Sequence, residues 1–425
     1  MKSFNWLSAC AIAGGLTGGS VAAQPAAPPA GPQAAIASAS DPAAGTVTLR
    51  AALDTAWQRA VAARESDGQR RRAEADRAAA GAFWAAPPSL ELSHRDDRLQ
   101  GNAGRRETEI GVAVPLWLPG QRAARSGTVE AAAAQALAAA QVARLRLAAE
   151  VREAAWQLAA LQAEATQADT QAQALRQLAD DVERRVRAGD LARADALAAQ
   201  AEQLAASALQ SEVRQRLQAA RARWTLLTGL TAAPDLTAAT VIDGESATAA
   251  PHPELQLASQ STELARKRLT LMRHSRRDAP ELTIGLRQDV PGRAEGSQGS
   301  LVVGLRFPFG TDDRNRPLQA AALAELDVAE THEQRLRERL DIDIAAARDA
   351  QRSADAQLEA ETARAGLLRE RASLIDTSFR AGGTPLPDLL RALAAAAQAD
   401  STVARQTAAL GLARARLQQT LGLLP

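Results

Sequence analysis

The 425-residue chain carries 50 Lys and Arg against 49 Asp and Glu, a formal charge of +1, with 3% aromatic residues and no tyrosine. That balance offers no basic stripe to a phosphate backbone and argues against nucleic acid as a partner. With few aromatics and alanine runs such as Ala131 to Ala134 and Ala394 to Ala397, large globular cores would be hard to fill, whereas closely packed long helices fit.

Residues 1–23 read as an export signal, with Lys2 near the start, an apolar run from Leu7, and Val21, Ala22 and Ala23 before Gln24. Leu7-Ser8-Ala9-Cys10 also spells a lipid-attachment box. Only Phe4 to Ala9 would then precede the acylated residue, short of the roughly 7–15 apolar residues such signals use. Cys10 is the only cysteine, so its loss with the signal leaves no thiol for disulfides or thiolate metal sites. A Pro- and Ala-rich segment fills 24–47. No later stretch offers the roughly 18 consecutive apolar residues of a membrane-spanning helix, so any crossing must use strands.

The first half, 48–230, opens with a helical pattern from Thr48 to Ala86 that ends at a Pro-bearing break. Two alternating segments follow: Leu90 and Leu92 alternate with polar neighbours, then Ile110, Val112, Val114 and Leu116 alternate with Glu109, Gly111 and Ala113. Period two with one apolar face, joined by the polar loop Asp96 to Arg105, predicts a β-hairpin. From Gln121 the period becomes helical, with Val151, Leu158, Ala165, Ala172, Ala179 and Val186 interleaved by Ala154, Leu161, Ala168, Leu175 and Val182. This heptad stripe predicts a coiled-coil helix about 100 Å long. Gly189 breaks it, and helical pattern resumes to Leu230; glycine readily takes the positive φ that reverses a chain.

Residues 231–253 form a polar, Pro-bearing linker, and 254–425 repeat the design. Arg187-Ala188-Gly189 with Asp195 and Leu197 returns as Arg380-Ala381-Gly382 with Asp388 and Leu390, and Arg221-Ala222-Arg223 returns as Arg414-Ala415-Arg416, all at an offset of 193. The second copy has a helical segment from Glu254 to Arg276, strands at Leu282–Leu286 and Leu301–Phe307, and a long stripe interrupted only by Gln351 and Glu361. Four strands of about ten residues can cross a bilayer but are too few to close a barrel, and lipid requires every backbone polar group to be paired. Three copies would supply about twelve strands. The polar sides, with Glu109, Arg287 and Arg306, then face a watery lumen, and Trp117 suits an interface belt. The alternative is a soluble sheet beside a plain coiled coil; two matched copies and an export signal weigh against it.

The whole pattern after the signal resembles the outer-membrane factor family typified by TolC, and within it the branch serving heavy-metal efflux pumps. The resemblance rests on the two tips, Arg187-Ala188-Gly189-Asp190-Leu191 and Arg380-Ala381-Gly382-Gly383-Thr384, and on the strand ends Val114-Pro115-Leu116 to Gly120-Gln121-Arg122 and Phe307-Pro308-Phe309-Gly310. It implies an α+β membrane fold: a homotrimer whose twelve-strand barrel in the outer membrane continues as a periplasmic α-helical tunnel. It further implies that a periplasmic adaptor docks on both tips and links the tunnel to an inner-membrane transporter of the RND class. Asp388, with its mate Asp195, matches the carboxylates that narrow such tunnels. The pattern departs at Arg391, where a second acid is expected, and at Phe379 and Thr384, where some members place Tyr and Arg. Asp195 and Asp388 also read simply as helix-start carboxylates.

Nothing points to catalysis or to a cofactor. His94, His252, His274 and His332 are scattered, Thr331-His332-Glu333 lacks the second His of a zinc-protease helix, and no metal-ligand cluster or phosphate loop follows the signal. The chain is therefore expected to be no enzyme and to conduct passively, carrying heavy-metal cations or drugs. A type I protein secretion duct and a non-channel periplasmic scaffold are the alternatives.

Overall fold

The computed structural model describes residues 47–99, 101–236 and 251–425. The export signal with Cys10, nearly all of the 24–47 segment and most of the linker lie outside the described residues. Residues Thr46–Pro425 form one compact unit.

The first helical segment is two helices where one is expected. Thr48 stands outside as a cap, its Oγ1 accepting the Ala51 N–H at 3.2 Å. Helix α1 runs Leu49–Arg59 and α2 runs Val61–Ala80, with extended backbone at Ala60 (φ −69°, ψ 140°) between them. Leu49, Ala52, Leu53 and Ala56 of α1 are buried in a cluster with Val151, Ala155, Val213 and Trp224, whereas α2 lies along the long helix that follows. Two docking directions require the bend, and no Gly or Pro marks it.

Strands β2 (Ser89–Asp96) and β3 (Arg106–Pro115) form the first hairpin; helices α3 (Gln121–Ala188) and α4 (Arg193–Thr228) form the first long one. Strand β1 (Val47–Thr48) pairs in parallel with β4 (Pro234–Asp235). The first residues of the expected linker are thus tied to the start of the described chain, and the Trp224 indole donates to the Ala232 carbonyl at 3.0 Å. The order then recurs: α5 (Pro253–His274), β5 (Glu281–Val290), β6 (Gln298–Arg306), α6 (Asp312–Arg380) and α7 (Leu386–Thr420). The long helices have 68 and 69 residues, and their return helices 36 and 35.

All four sheet strands are antiparallel in the order β2-β3-β5-β6, which leaves β2 and β6 as free edges. The helices form a matching row. Near the sheet the packing order is α2-α3-α5-α6; towards the tips it is α4-α3-α7-α6, with a lighter contact between α4 and α7. Every layer therefore ends in first-half elements on one side and in β6 or α6 on the other.

The eleven-position stripe of α3 is buried or half-buried throughout, as is the α6 stripe including Gln351 and Glu361. Alanine is the commonest residue in both stripes, which permits close helix approach. Midway along α3, Arg152 is almost fully buried and donates to Gln419 Oε1 at 2.6 Å and to the Leu423 carbonyl at 2.8 Å. Burial without a facing carboxylate pushes its guanidinium down to about 10. The neighbouring Trp156 ring lies on Gly411, where a Cβ would stand 2.1 Å from it, so α3 and α7 meet through a position that admits only glycine.

Candidate functional site

The cross-strand register sorts the sheet into two chemistries. Leu90, Val112, Ile284 and Val303 form one row and Leu92, Ile110, Leu286 and Leu301 the next, all on one face and all exposed. The opposite face carries Glu91, Ser93, Glu107, Glu109, Asp289 and Arg287. Arg287 pairs with Glu107 at 2.8 Å, and Arg306 with Glu281 at 3.5 Å. Glu109, Arg287 and Arg306 thus share the polar face. Gly111 and Gly285 are register partners on that face, and a Cβ on Gly285 would lie 2.7 Å from the Ile110 carbonyl oxygen. The two hairpins meet there by close backbone approach.

At the end of the sheet that joins the helices, the fold collects aromatic residues that lie far apart in sequence. Phe83 and Trp84 pack edge to face at 4.5 Å, just before β2. Trp117 follows β3, its indole donating to the Ala82 carbonyl at 3.3 Å, with the Arg125 guanidinium 5.8 Å from the ring. Phe307 and Phe309 follow β6, with Arg277 4.7 Å from Phe307. Of this group only Trp117 stands out in sequence as an interface residue, while Phe307 and Phe309 stand out as part of a strand end. The missed signal is the recurrence of an aromatic near the helix-side end of β2, β3 and β6, three of the four strands.

Both tips turn by one mechanism. Gly189 has φ 89°; it donates to the Val186 carbonyl at 3.1 Å while Asp190 donates to that of Arg185 at 2.9 Å. Gly382 has φ 79°; it donates to the Phe379 carbonyl at 3.0 Å while Gly383 donates to that of Ser378 at 2.8 Å. Each is a Schellman motif, for which positive φ makes glycine the fitting residue. A Cβ on either glycine would meet nothing within 4 Å. Arg187, Ala188, Asp190, Arg380, Ala381 and Gly383 are exposed, and Leu191 and Thr384 half-buried. Thr384 Oγ1 lies 2.6 Å from Ser378 Oγ, and Arg380 pairs with Asp376 at 2.8 Å.

The two tips lie side by side. Val182, Ala199, Phe379, Leu386 and Leu389 share one buried cluster, and the Arg185 guanidinium sits 5.1 Å from the Phe379 ring centroid. Phe379 is thereby committed to packing between the hairpins. Asp195 accepts the Ala192 N–H at 3.2 Å, closing the start of its own helix α4. Asp388, half-buried in the first turn of α7, pairs with the exposed Arg391 one turn on. Among the described residues no His, Cys, Asp and Glu cluster could hold a metal ion, and no helix is long and apolar enough to cross a membrane.

No family model matches the sequence, and no curated protein matches it in sequence. Solved structures do match the fold. The outer membrane protein VceC from Vibrio cholerae is 14% identical with a TM-score of 0.69, covering 88% of this chain and 96% of that one. CusC, described in terms of transmembrane channel formation, is 16% identical with a TM-score of 0.72, covering 89% and 93%. The CmeC outer membrane channel of Campylobacter jejuni is 10% identical with a TM-score of 0.69, covering 89% and 88%. The chain shares its fold with these outer-membrane proteins over nearly its whole described length.

Proposed function

We propose that this chain is one protomer of a trimeric outer-membrane channel, the exit duct of a tripartite efflux system. The observation that carries the reading is the sheet: four antiparallel strands of 8 to 10 residues, one face of exposed aliphatic rows, the other of paired charges, and both edges open. Water penalises such a face, and lipid penalises such edges. Both penalties vanish when three copies join β6 to β2 head to tail in a closed ring of twelve strands, because a heterologous contact that closes gives cyclic symmetry. The helical edges are arranged the same way, so one rotation serves barrel and tunnel together. The chain itself is then a duplication, each copy giving one β-hairpin and one α-hairpin.

In this arrangement the barrel spans the outer membrane and the helices extend about 100 Å into the periplasm. The tips at Gly189 and Gly382 receive the periplasmic adaptor, which connects the duct to an inner-membrane transporter of the RND class. Asp388 with Arg391, and Asp195, stand as candidates for the closed end. The cargo, heavy-metal cations or drugs, is inferred from the family resemblance. The chain binds no cofactor and catalyses nothing in this reading.

The test is mass and conductance. Purified from outer membranes in detergent, the protein is expected to have the mass of three copies and to give discrete conductance steps in planar bilayers. A monomer without channel activity overturns the proposal. Release of the protein from membranes by urea would favour a scaffold instead.

A further inference from the structure

Towards the tips the outer helices of the row are α4 and α6, with α3 and α7 between them. Among the described residues of this half, the large apolar side chains left exposed lie on α4 and α6 and not on α3 or α7. Four of them form two matched pairs. Leu197 and Leu204 lie eight and fifteen residues after Gly189, and Leu374 and Leu367 lie eight and fifteen residues before Gly382. Their exposures are 59%, 67%, 66% and 69%.

The two tips are level, since Arg185, four residues before Gly189, stacks on Phe379, three residues before Gly382. Rotation about a tunnel axis preserves height. At 1.5 Å per residue along α6, Leu374 and Leu367 stand about 12 and 22 Å above Gly382; Ala199 of α4 clusters with Ala179 and Val182 of α3, which puts Leu197 about 10 Å and Leu204 about 20 Å above Gly189. Seven-residue spacing on antiparallel helices places each pair on one stripe. We propose that Leu197 and Leu204 of one copy pack on Leu374 and Leu367 of the next, forming two apolar layers that join neighbouring hairpins just above the tips. The partner is a second copy of this chain because the two stripes occupy opposite ends of one row at nearly equal depth. This inference rests on the ring-forming reading above and assigns its register.

Disulfide trapping tests the register. A disulfide needs Cα atoms within roughly 7 Å. The chain's only cysteine is Cys10, so the parent protein is the control. Under mild oxidation the double variant Leu197→Cys/Leu374→Cys is expected to give covalent dimers and trimers on non-reducing gels, as is Leu204→Cys/Leu367→Cys. Leu197→Cys/Leu367→Cys, out of register by about 10 Å, should remain uncrosslinked. If the matched pairs fail to crosslink, or the mismatched pair crosslinks equally, the layers are wrong. Mass measurement of the same samples separates the failures: a trimer that does not crosslink overturns the register alone, and a monomer overturns the ring with it.

Discussion

The pairing of Asp388 with Arg391 changes what the candidate closed end offers to an ion. In the proposed trimer, three isolated carboxylates would attract cations, but Asp388 has the Arg391 guanidinium beside it, so a ring of such pairs would be close to neutral. The pair is exposed enough to contribute only about 0–1 kcal/mol to folding, and either residue can be removed without unfolding α7. Asp388→Ala is therefore expected to leave the arginines unopposed and to lower the cation-to-anion permeability ratio severalfold, while Arg391→Ala raises it. Reversal potentials in asymmetric salt read both changes, and two unaltered ratios would remove the pair from the conduction path. The family resemblance singled out these two positions but could not show that their side chains neutralise each other. Asp195 is a different case: its oxygen closes the start of α4, the plain reading available from its position three residues into a helix.

At the scale of elements, the four strands and two long helices were legible because their periods are long and regular. The bend at Ala60 was not, since Arg59-Ala60-Val61 contains no Gly or Pro to break a helix and α1 and α2 pack against different neighbours. The aromatic group was missed for a related reason, because Phe83, Trp84, Trp117, Phe307 and Phe309 come to the same end of the sheet only once the hairpins stand side by side. The apolar rows give the sharpest test at this scale. Ile284→Arg places a charge on a face assigned to lipid and is expected to cost about 2–4 kcal/mol of membrane stability if it lies near the midplane. Glu109→Arg, on the opposite face, should cost far less. Urea titrations in lipid vesicles compare the two; equal effects would mean that the faces are wrongly assigned.

For the whole molecule, the level tips matter more than either alone. Each glycine sits in open space with positive φ, so a larger residue costs about 1–2 kcal/mol of local strain but meets no neighbour within the protomer. The double variant Gly189→Asp/Gly382→Asp is expected to abolish efflux in a resistance assay while trimer mass and single-channel conductance stay intact. Unchanged resistance would show that the tips are not where a partner binds. Two hairpins per copy, level with each other, would present six similar sites in a trimer, with unlike chemistry at alternate positions: Asp190-Leu191 at one and Gly383-Thr384 at the other.

The aromatic group at the strand ends acquires a second meaning from the length of α3. Indole rings, apolar with one polar N–H, settle at the boundary between lipid and water and help to fix how deep a membrane protein sits, and Trp84 and Trp117 belong to this group. Helix α3 begins within four residues of Trp117 and runs 68 residues without interruption to Gly189. In the proposed channel the rings would be the zero mark of a ruler about 100 Å long. In that channel a partner rooted in the opposite membrane would have to be built to the remaining gap, and shortening α3, α4, α6 and α7 together by whole heptads is expected to uncouple the tips from it while leaving the four-stranded sheet in place.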